Sequence, residues 1–249
     1  MPDPLANVSS DVTPYRYAYN NPLFFTDPEG LLESTHTDSL GNVIAVYNDN
    51  DLSVYRHNDA KTKADVDKKR KETGSTSGGG EKEGETYFWD EFRPGDRILF
   101  NQSWNTELID LAVDGSSEGR IPLMFNSRSG NKFDIKSRYY LGKGGYAGKL
   151  LNGKYISAES AGNFLAGFNA SGRGELSFVK YMQLAGAYHK AGMMGVINNE
   201  RTGKLYGVSP WYGEIAYAGR MILWGWLTKS PGDEEAGIIN YIYYHEDNK

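Results

Sequence analysis

The chain has 249 residues, of which 39% are hydrophobic and 24% charged, and its formal net charge is -5. It contains no cysteine, which excludes a disulfide scaffold, thiolate zinc sites and cysteine nucleophiles. No stretch approaches the roughly 18 uninterrupted apolar residues that a membrane-spanning helix requires. The charge is uneven, because residues 32–120 carry 11 Lys/Arg and 18 Asp/Glu, whereas residues 121–249 carry 15 and 10. The basic second half suits an anionic polymer, and it also fits an ordinary solvated surface.

The first predicted element is a short strand between two turns. Proline fixes φ in Asn20-Asn21-Pro22 and in Asp27-Pro28-Glu29-Gly30, where the glycine also supplies a positive φ. The apolar run Leu23-Phe24-Phe25 lies between these turns. Taken alone, this pattern also fits an ordinary hairpin in any β-protein.

Four submotifs in residues 3–31 together resemble the C-terminal end of an Rhs-repeat core. In chain order they are Asp3-Pro4-Leu5-Ala6, Pro14-Tyr15-Arg16-Tyr17, Asn20-Asn21-Pro22 and Asp27-Pro28-Glu29-Gly30-Leu31. In that family the core builds a closed β-cage around a variable C-terminal domain, and the last submotif marks where the core ends. The resemblance implies that residues 1–31 end such a core and that the rest of the chain is toxin cargo.

The same resemblance implies processing, partners and a destination. Self-cleavage is expected after Leu31, with Asp27 as one carboxylate of the self-cleaving pair. The implied partners are the Rhs cage of the same polypeptide, a secretion machinery and a cognate immunity protein. The toxin would be secreted and delivered into a target bacterial cell, while its activity is left open by the resemblance.

A β-hairpin is predicted in residues 32–57 and a flexible linker in residues 58–85, with a helix at the Lys-rich start of the linker as an alternative. The hairpin would join the β-rich segments 42–47 and 52–55 through the turn cluster Asn48-Asp49-Asn50-Asp51. Residues 58–85 are polar and low in complexity, so they bury too little apolar area to offset their ordering entropy. The toxin domain is then predicted to cover residues 86–249.

Strands are predicted at residues 97–100, 131–138 and 238–244. In the second of these, Phe133 and Ile135 would take one face, and Asp134 and Lys136 the other. An acid and a base would then lie side by side. Asp134 is therefore a candidate catalytic residue and Lys136 a candidate substrate-binding residue.

The first of three helices is predicted to start near Ser157, a good N-cap residue with Glu159 in the following turn. Asn163 lies away from the apolar stripe of this helix. One turn later, Gly167 leaves room for a close neighbour or a substrate. Asn163 is a candidate catalytic residue, and a capping or packing asparagine is the alternative.

The second helix is predicted over residues 176–190. His189 shares a face with Met182 and Ala185 on this helix. Imidazole titrates near neutrality, which makes His189 a candidate general acid or base. A satisfied core histidine is the alternative interpretation.

The third helix is predicted over residues 214–227. Glu214 would sit in its first turn on a mostly apolar stripe, where a carboxylate can serve as a general acid or base. The alternative is a glutamate that only complements the helix dipole. Arg220, further along this helix, could bind a phosphate or carboxylate, or form a structural ion pair.

A second resemblance involves four segments: Phe133-Asp134-Ile135-Lys136, residues 160–167 with Asn163 and Gly167, residues 184–189 with His189, and Tyr212-Gly213-Glu214 with Arg220 and Gly225. Their succession looks like the tails found on Rhs-type proteins. They are loosely similar to the polymorphic toxin group called bacterial toxin 44, whose tails carry an aromatic-Asp-x-Lys element and an Asn-x-x-x-Gly helix. This chain departs from the group at Ala166, where the group has an aromatic residue. The resemblance transfers no activity.

The expected fold is α+β: a short β-rich core remnant and hairpin, a flexible linker, then a mixed toxin domain with about three packed helices and a small sheet. The leading functional hypothesis is metal-independent hydrolysis of nucleic acid. In it, His189 and Glu214 form an acid/base pair and Arg220 or Lys136 stabilises a developing anion. Peptidoglycan hydrolysis by Glu214 and Asp134 is an alternative, as is a membrane-perturbing or non-enzymatic toxin. No pattern identifies a cofactor.

Overall fold

The computed structural model describes residues 32–88, 90–119, 126–127, 130–171, 176–233 and 236–237. In these ranges the fold is α+β, as predicted. The described residues form two compact units, residues 32–162 and residues 163–237. This division differs from the single predicted domain of residues 86–249, which has residues in both units. Asp27, Leu31 and the predicted strand at 238–244 lie outside the described residues, so cleavage after Leu31 stays a prediction.

The first unit begins with a four-stranded sheet whose strands are β1 (Glu33–Thr37), β2 (Val43–Asn48), β3 (Ser53–Arg56) and β4 (Glu81–Glu85). Their order is β2-β1-β3-β4, with β1 antiparallel to β2 and parallel to β3. The predicted hairpin between 42–47 and 52–55 is therefore wrong, because β1 lies between its two strands. Strand β1 was not predicted because none of its five residues is apolar, although four of them are buried.

The predicted flexible linker at 58–85 is also wrong, because it contains helix α1 (Lys63–Thr73) and strand β4. Thr62 and Asp65 form a capping box in which each side chain accepts from the other's backbone N–H. Gly74 ends the helix in the left-handed conformation. Only Val66 of the helix is buried, so the argument from apolar area favoured a linker, and the helix at its Lys-rich start was only the alternative.

Polar contacts hold α1 against the end of β2. The Tyr47 hydroxyl donates to the Asp67 carboxylate at 2.7 Å. Arg70 forms an ion pair with Asp49 at 2.6 Å, and both side chains are largely buried. Charged residues thus order this segment in place of an apolar face.

The second sheet of the first unit consists of β5 (Arg97–Ser103), β6 (Tyr140–Gly142), β7 (Gly145–Leu151) and β8 (Lys154–Ser157). Strand β7 pairs with all three others, parallel to β5 and antiparallel to β6 and β8. The predicted strand at 97–100 is confirmed as part of β5. Helix α2 (Asn105–Ser117), which was not predicted, follows the buried Trp104, whose indole donates to the Ile156 carbonyl at 3.0 Å.

Residues 131–138, predicted as a strand, instead form a turn and the short helix α3 (Ile135–Arg138). The Asp134 carboxylate accepts from the backbone N–H of Ser137 at 3.1 Å, from the Ser137 hydroxyl, and from the backbone N–H of Gly130 at 2.6 Å. An aspartate that caps its own chain in this way competes with strand pairing. The alternation of apolar and polar residues was therefore misleading here.

The second unit is helical, with α5 (Phe178–Thr202), α6 (Ala216–Lys229) and the part of α4 (Ala158–Ala170) from residue 163 onward. The three predicted helices are therefore present, with shifted ends. The backbones of helices α4 and α6 are in contact at Gly167, because a β-carbon on this glycine would overlap the Ile222 carbonyl oxygen. The space beside Gly167 is thus filled by α6. The buried apolar core comprises Phe178, Met182, Trp211, Ile222, Leu223, Trp226 and Ala236.

Helix α5 is broken after His189, where Ala191 and Gly192 leave helical geometry. Gly192 has a φ of 59°, which favours glycine. The segments on either side contact each other, since the Lys180 ammonium donates to the Asn199 side chain at 2.6 Å. His189 therefore lies at a corner of the second unit. None of the described helices has the length and apolar character to cross a membrane.

Candidate active site

The structure brings His189 and Glu214 together in the second unit. Nδ1 of His189 lies 3.2 Å from Oε1 of Glu214. The histidine side chain is 38% exposed, whereas the glutamate side chain is only 12% exposed. The carboxylate is thus largely enclosed while the imidazole is accessible, and His189 is not the core histidine of the alternative interpretation.

A turn places Glu214 in front of helix α6 rather than inside it. The helix starts at Ala216, two residues later than predicted. Tyr212 and Gly213 have φ values of 50° and 106°, and the tyrosine pays a steric cost in this left-handed conformation. Oε1 of Glu214 also accepts from the backbone N–H of Ile215 at 2.9 Å. The backbone therefore orients the carboxylate that contacts His189.

Gly186 sets how closely α5 approaches this turn. A β-carbon at Gly186 would overlap the Tyr212 carbonyl oxygen and lie 3.0 Å from the Glu214 backbone nitrogen. Gly186 is three residues before His189 and thus on the same side of the helix. Sequence reasoning missed this role, although a glycine inside a helix was the available signal.

The contact between the two side chains determines what they can do chemically. A carboxylate only accepts hydrogen bonds, so pairing with Glu214 assigns the proton of neutral His189 to Nδ1 and leaves the lone pair on Nε2. No described residue forms a hydrogen bond with Nε2. This arrangement suits a general base whose protonated form is stabilised by the adjacent carboxylate.

The other predicted site residues do not join this pair. Arg220 is only 7% exposed within α6, so its guanidinium is enclosed by protein rather than presented to a substrate. Within the described residues, no hydrogen bond connects Asn163 of α4 with His189 or Glu214. Asp134 and Lys136 belong to the first unit, where Asp134 caps α3 and Lys136 forms an ion pair with Glu159.

A second pair of titratable residues, His36 and His57, is fully enclosed in the first unit. Nδ1 of His36 lies 2.8 Å from Nε2 of His57. The Ser34 hydroxyl oxygen lies 3.1 Å from Nε2 of His36, and this hydroxyl donates to the Asp49 carboxylate at 2.7 Å. Burial, followed by the charges of His57 and Arg70, lowers the pKa of His36 to about 3. His36, which belongs to strand β1, is therefore held neutral.

The fold and the site define an α+β protein whose helical unit carries an accessible His–Glu pair. In the part of the chain that the structure describes, no group of three or more His, Asp or Glu residues could hold a metal ion. Comparisons with protein-family models, curated proteins and solved structures found no match to this chain.

Proposed function

We propose that this chain carries the toxin domain of an Rhs-type protein and that His189 and Glu214 support hydrolysis of phosphodiester bonds in nucleic acid. The observation that carries the catalytic part is the 3.2 Å contact between an accessible imidazole and an enclosed carboxylate. The four submotifs in residues 3–31 support the Rhs assignment. In this proposal the protein is secreted, enters a rival bacterium and is neutralised in its producer by an immunity protein.

In the proposed reaction, Nε2 of His189 removes a proton from the attacking hydroxyl of water or of a sugar. The new phosphorus–oxygen bond forms as the bond to the leaving oxygen breaks. Protonated His189 then donates that proton to the leaving oxygen, so the proton count balances. Glu214 orients the ring and stabilises its positive charge during this exchange.

The alternatives have less support from the described residues. The peptidoglycan hypothesis pairs Glu214 with Asp134, whose carboxylate already accepts three hydrogen bonds at the start of α3. The membrane hypothesis rests on the tryptophans of α6. Trp226 is 2% exposed and packs against Phe178, with ring centroids 5.4 Å apart.

Growth of bacteria that express the full chain tests this function. We expect growth inhibition when the chain stays in the cytoplasm, and none when His189→Ala is expressed at the same level. The same two forms are also expressed with an added export signal. Inhibition only after export would contradict the nucleic acid proposal and place the target in the cell envelope. Normal growth with soluble, folded wild-type chain in both compartments would contradict the toxin proposal.

Gly186→Ala should reduce nucleic acid cleavage by about 100-fold, because the added methyl group would push the 212–214 turn away from α5 and separate Glu214 from His189. Gly162→Ala is the matched control, since a β-carbon at that helical position meets no atom within 4 Å. Initial cleavage rates and circular dichroism spectra would be measured for both variants. Full activity of a folded Gly186→Ala chain would show that this approach does not position the pair.

A further inference from the structure

Helix α5 and the residues that follow it carry positive charges that pair with no carboxylate among the described residues. Residues 180–206 contain four Lys/Arg and one Glu. Among the described residues, none of these four cations lies within ion-pair distance of a carboxylate; they are Lys180, Lys190, Arg201 and Lys204. By contrast, most described lysines of the first unit form an ion pair with a carboxylate. Examples are Lys69 with Asp59 at 2.5 Å and Lys82 with Glu85 at 2.7 Å.

Two of these lysines lie on a continuous surface that leads to the pair. The Lys204 ammonium lies 5.0 Å from the centroid of the Tyr206 ring. The carbonyl group of Tyr206 contacts Gly213, because a β-carbon placed on that glycine would lie 2.9 Å from the Tyr206 oxygen. The same β-carbon would lie 3.2 Å from Cγ of Lys190. Gly213 and Lys190 directly adjoin Glu214 and His189 in the chain.

We propose that Lys204, Tyr206 and Lys190 form a binding surface for single-stranded nucleic acid that directs a phosphodiester to His189. This inference rests on the proposed function and adds the residues that hold the substrate. Lysines that lack carboxylate partners are available to phosphate groups, and an aromatic ring beside them can stack on an unpaired base. Both lysine side chains are exposed, and Tyr206 is partly exposed. The exposed apolar residues Leu205 and Val208 flank the tyrosine, which adds apolar area for a base.

The test measures binding separately from cleavage. The full chain with His189→Ala would be titrated with a fluorescent single-stranded oligonucleotide over a series of salt concentrations. Adding Lys190→Gln and Lys204→Gln should weaken binding by about tenfold at low salt. The slope of the logarithm of the binding constant against the logarithm of the salt concentration should also become shallower, by about 0.7 for each lysine that contacts a phosphate. Tyr206→Leu should weaken binding without changing the salt dependence, because the ring carries no charge.

The matched control is Lys61→Gln with Lys71→Gln. These lysines of the first unit are exposed and lack an ion-pair partner among the described residues. Replacing both of them changes the net charge by the same amount as replacing Lys190 and Lys204. Equal weakening by both double variants would overturn the proposal, since it would show a general charge effect. Binding to vesicles of anionic lipid that depends on Lys190 and Lys204, without oligonucleotide binding, would also overturn it and assign the surface to a membrane. Specific oligonucleotide binding by a wild-type chain that cleaves no nucleic acid would support the surface and reject the proposed reaction.

Discussion

His189→Ala is expected to reduce nucleic acid cleavage by about 10²- to 10⁴-fold, the usual contribution of a positioned general acid or base. The loss should appear in kcat and leave KM nearly unchanged, because the imidazole acts on the reacting atoms while other residues hold the substrate. Initial rates with a labelled oligonucleotide would measure both parameters. Circular dichroism would confirm that the variant is folded, as expected for a side chain that is 38% exposed.

Glu214 acts through His189, so its variants need a readout that a purely structural role would not change. Glu214→Gln keeps the size of the side chain but removes the charge that stabilises protonated His189, and kcat should fall by about 100-fold or more. Glu214→Asp should recover part of this loss because it restores the carboxylate. Glu200→Gln, which neutralises an exposed glutamate of the same unit, is the control and should leave the rate unchanged. Wild-type rates in Glu214→Gln would reject the role of this carboxylate.

The first unit is expected to lose stability steeply as the pH falls below about 6.5. His36 is neutral in the folded protein, because its pKa is lowered from 6.5 to about 3, whereas the unfolded chain binds a proton near pH 6.5. The unfolded state therefore holds more protons between these values, and the free energy of unfolding decreases by about 1.4 kcal/mol for each pH unit. Burial and the charge of Lys69 lower the pKa of His57 in the same direction.

The charged residues around the two histidines do not cancel this loss of stability at low pH. His36 faces Arg70 and Lys63, which oppose its protonation, and Asp51, which favours it. His57 faces Lys69, which opposes protonation, and Asp59, which favours it. Between pH 7.5 and 5.0, His36 alone should therefore remove about 2 kcal/mol of stability.

Hydrogen exchange of residues 32–162 at pH 7.5 and 5.0 would measure this loss within the first unit. His36→Phe provides the comparison, since phenylalanine keeps a ring between Tyr47 and Tyr55 but cannot titrate. This variant should show a smaller decrease with falling pH, even if it is less stable at pH 7.5. An identical decrease in wild type and His36→Phe would contradict the assignment of the effect to His36.

Apolar spacing predicted the helices of the second unit because their cores are large and continuous. Met182 and Leu223 are fully buried, and the helices α5 and α6 that contain them were found within a few residues of their starts. The same reasoning ended α5 at residue 190, next to the break at Ala191 and Gly192, and did not find the segment that continues to Thr202.

Elements held by polar contacts were missed, or predicted only as an alternative, for the opposite reason. Strand β1 contains no apolar residue, and α1 buries only Val66. Their order comes from hydrogen bonds and ion pairs between distant residues, such as Arg70 with Asp49. Composition cannot reveal such partners, so residues 58–85 were interpreted as a linker.

The site was predicted in part. His189 and Glu214 were selected for their chemistry and helix context, and the structure places them in contact. Asp134, Lys136 and Arg220 were selected on the same grounds. In the structure, however, Asp134 caps a helix, Lys136 forms an ion pair with Glu159, and Arg220 is buried in α6. Whether a polar side chain is already engaged depends on tertiary neighbours that spacing along the chain does not specify.

The most direct test of the account is to incubate the purified full chain and His189→Ala in parallel with labelled RNA, labelled DNA and peptidoglycan. We expect that the wild-type chain fragments nucleic acid, that His189→Ala does not, and that peptidoglycan remains intact with both. Release of peptidoglycan fragments, or equal fragmentation of nucleic acid by the two proteins, would contradict it.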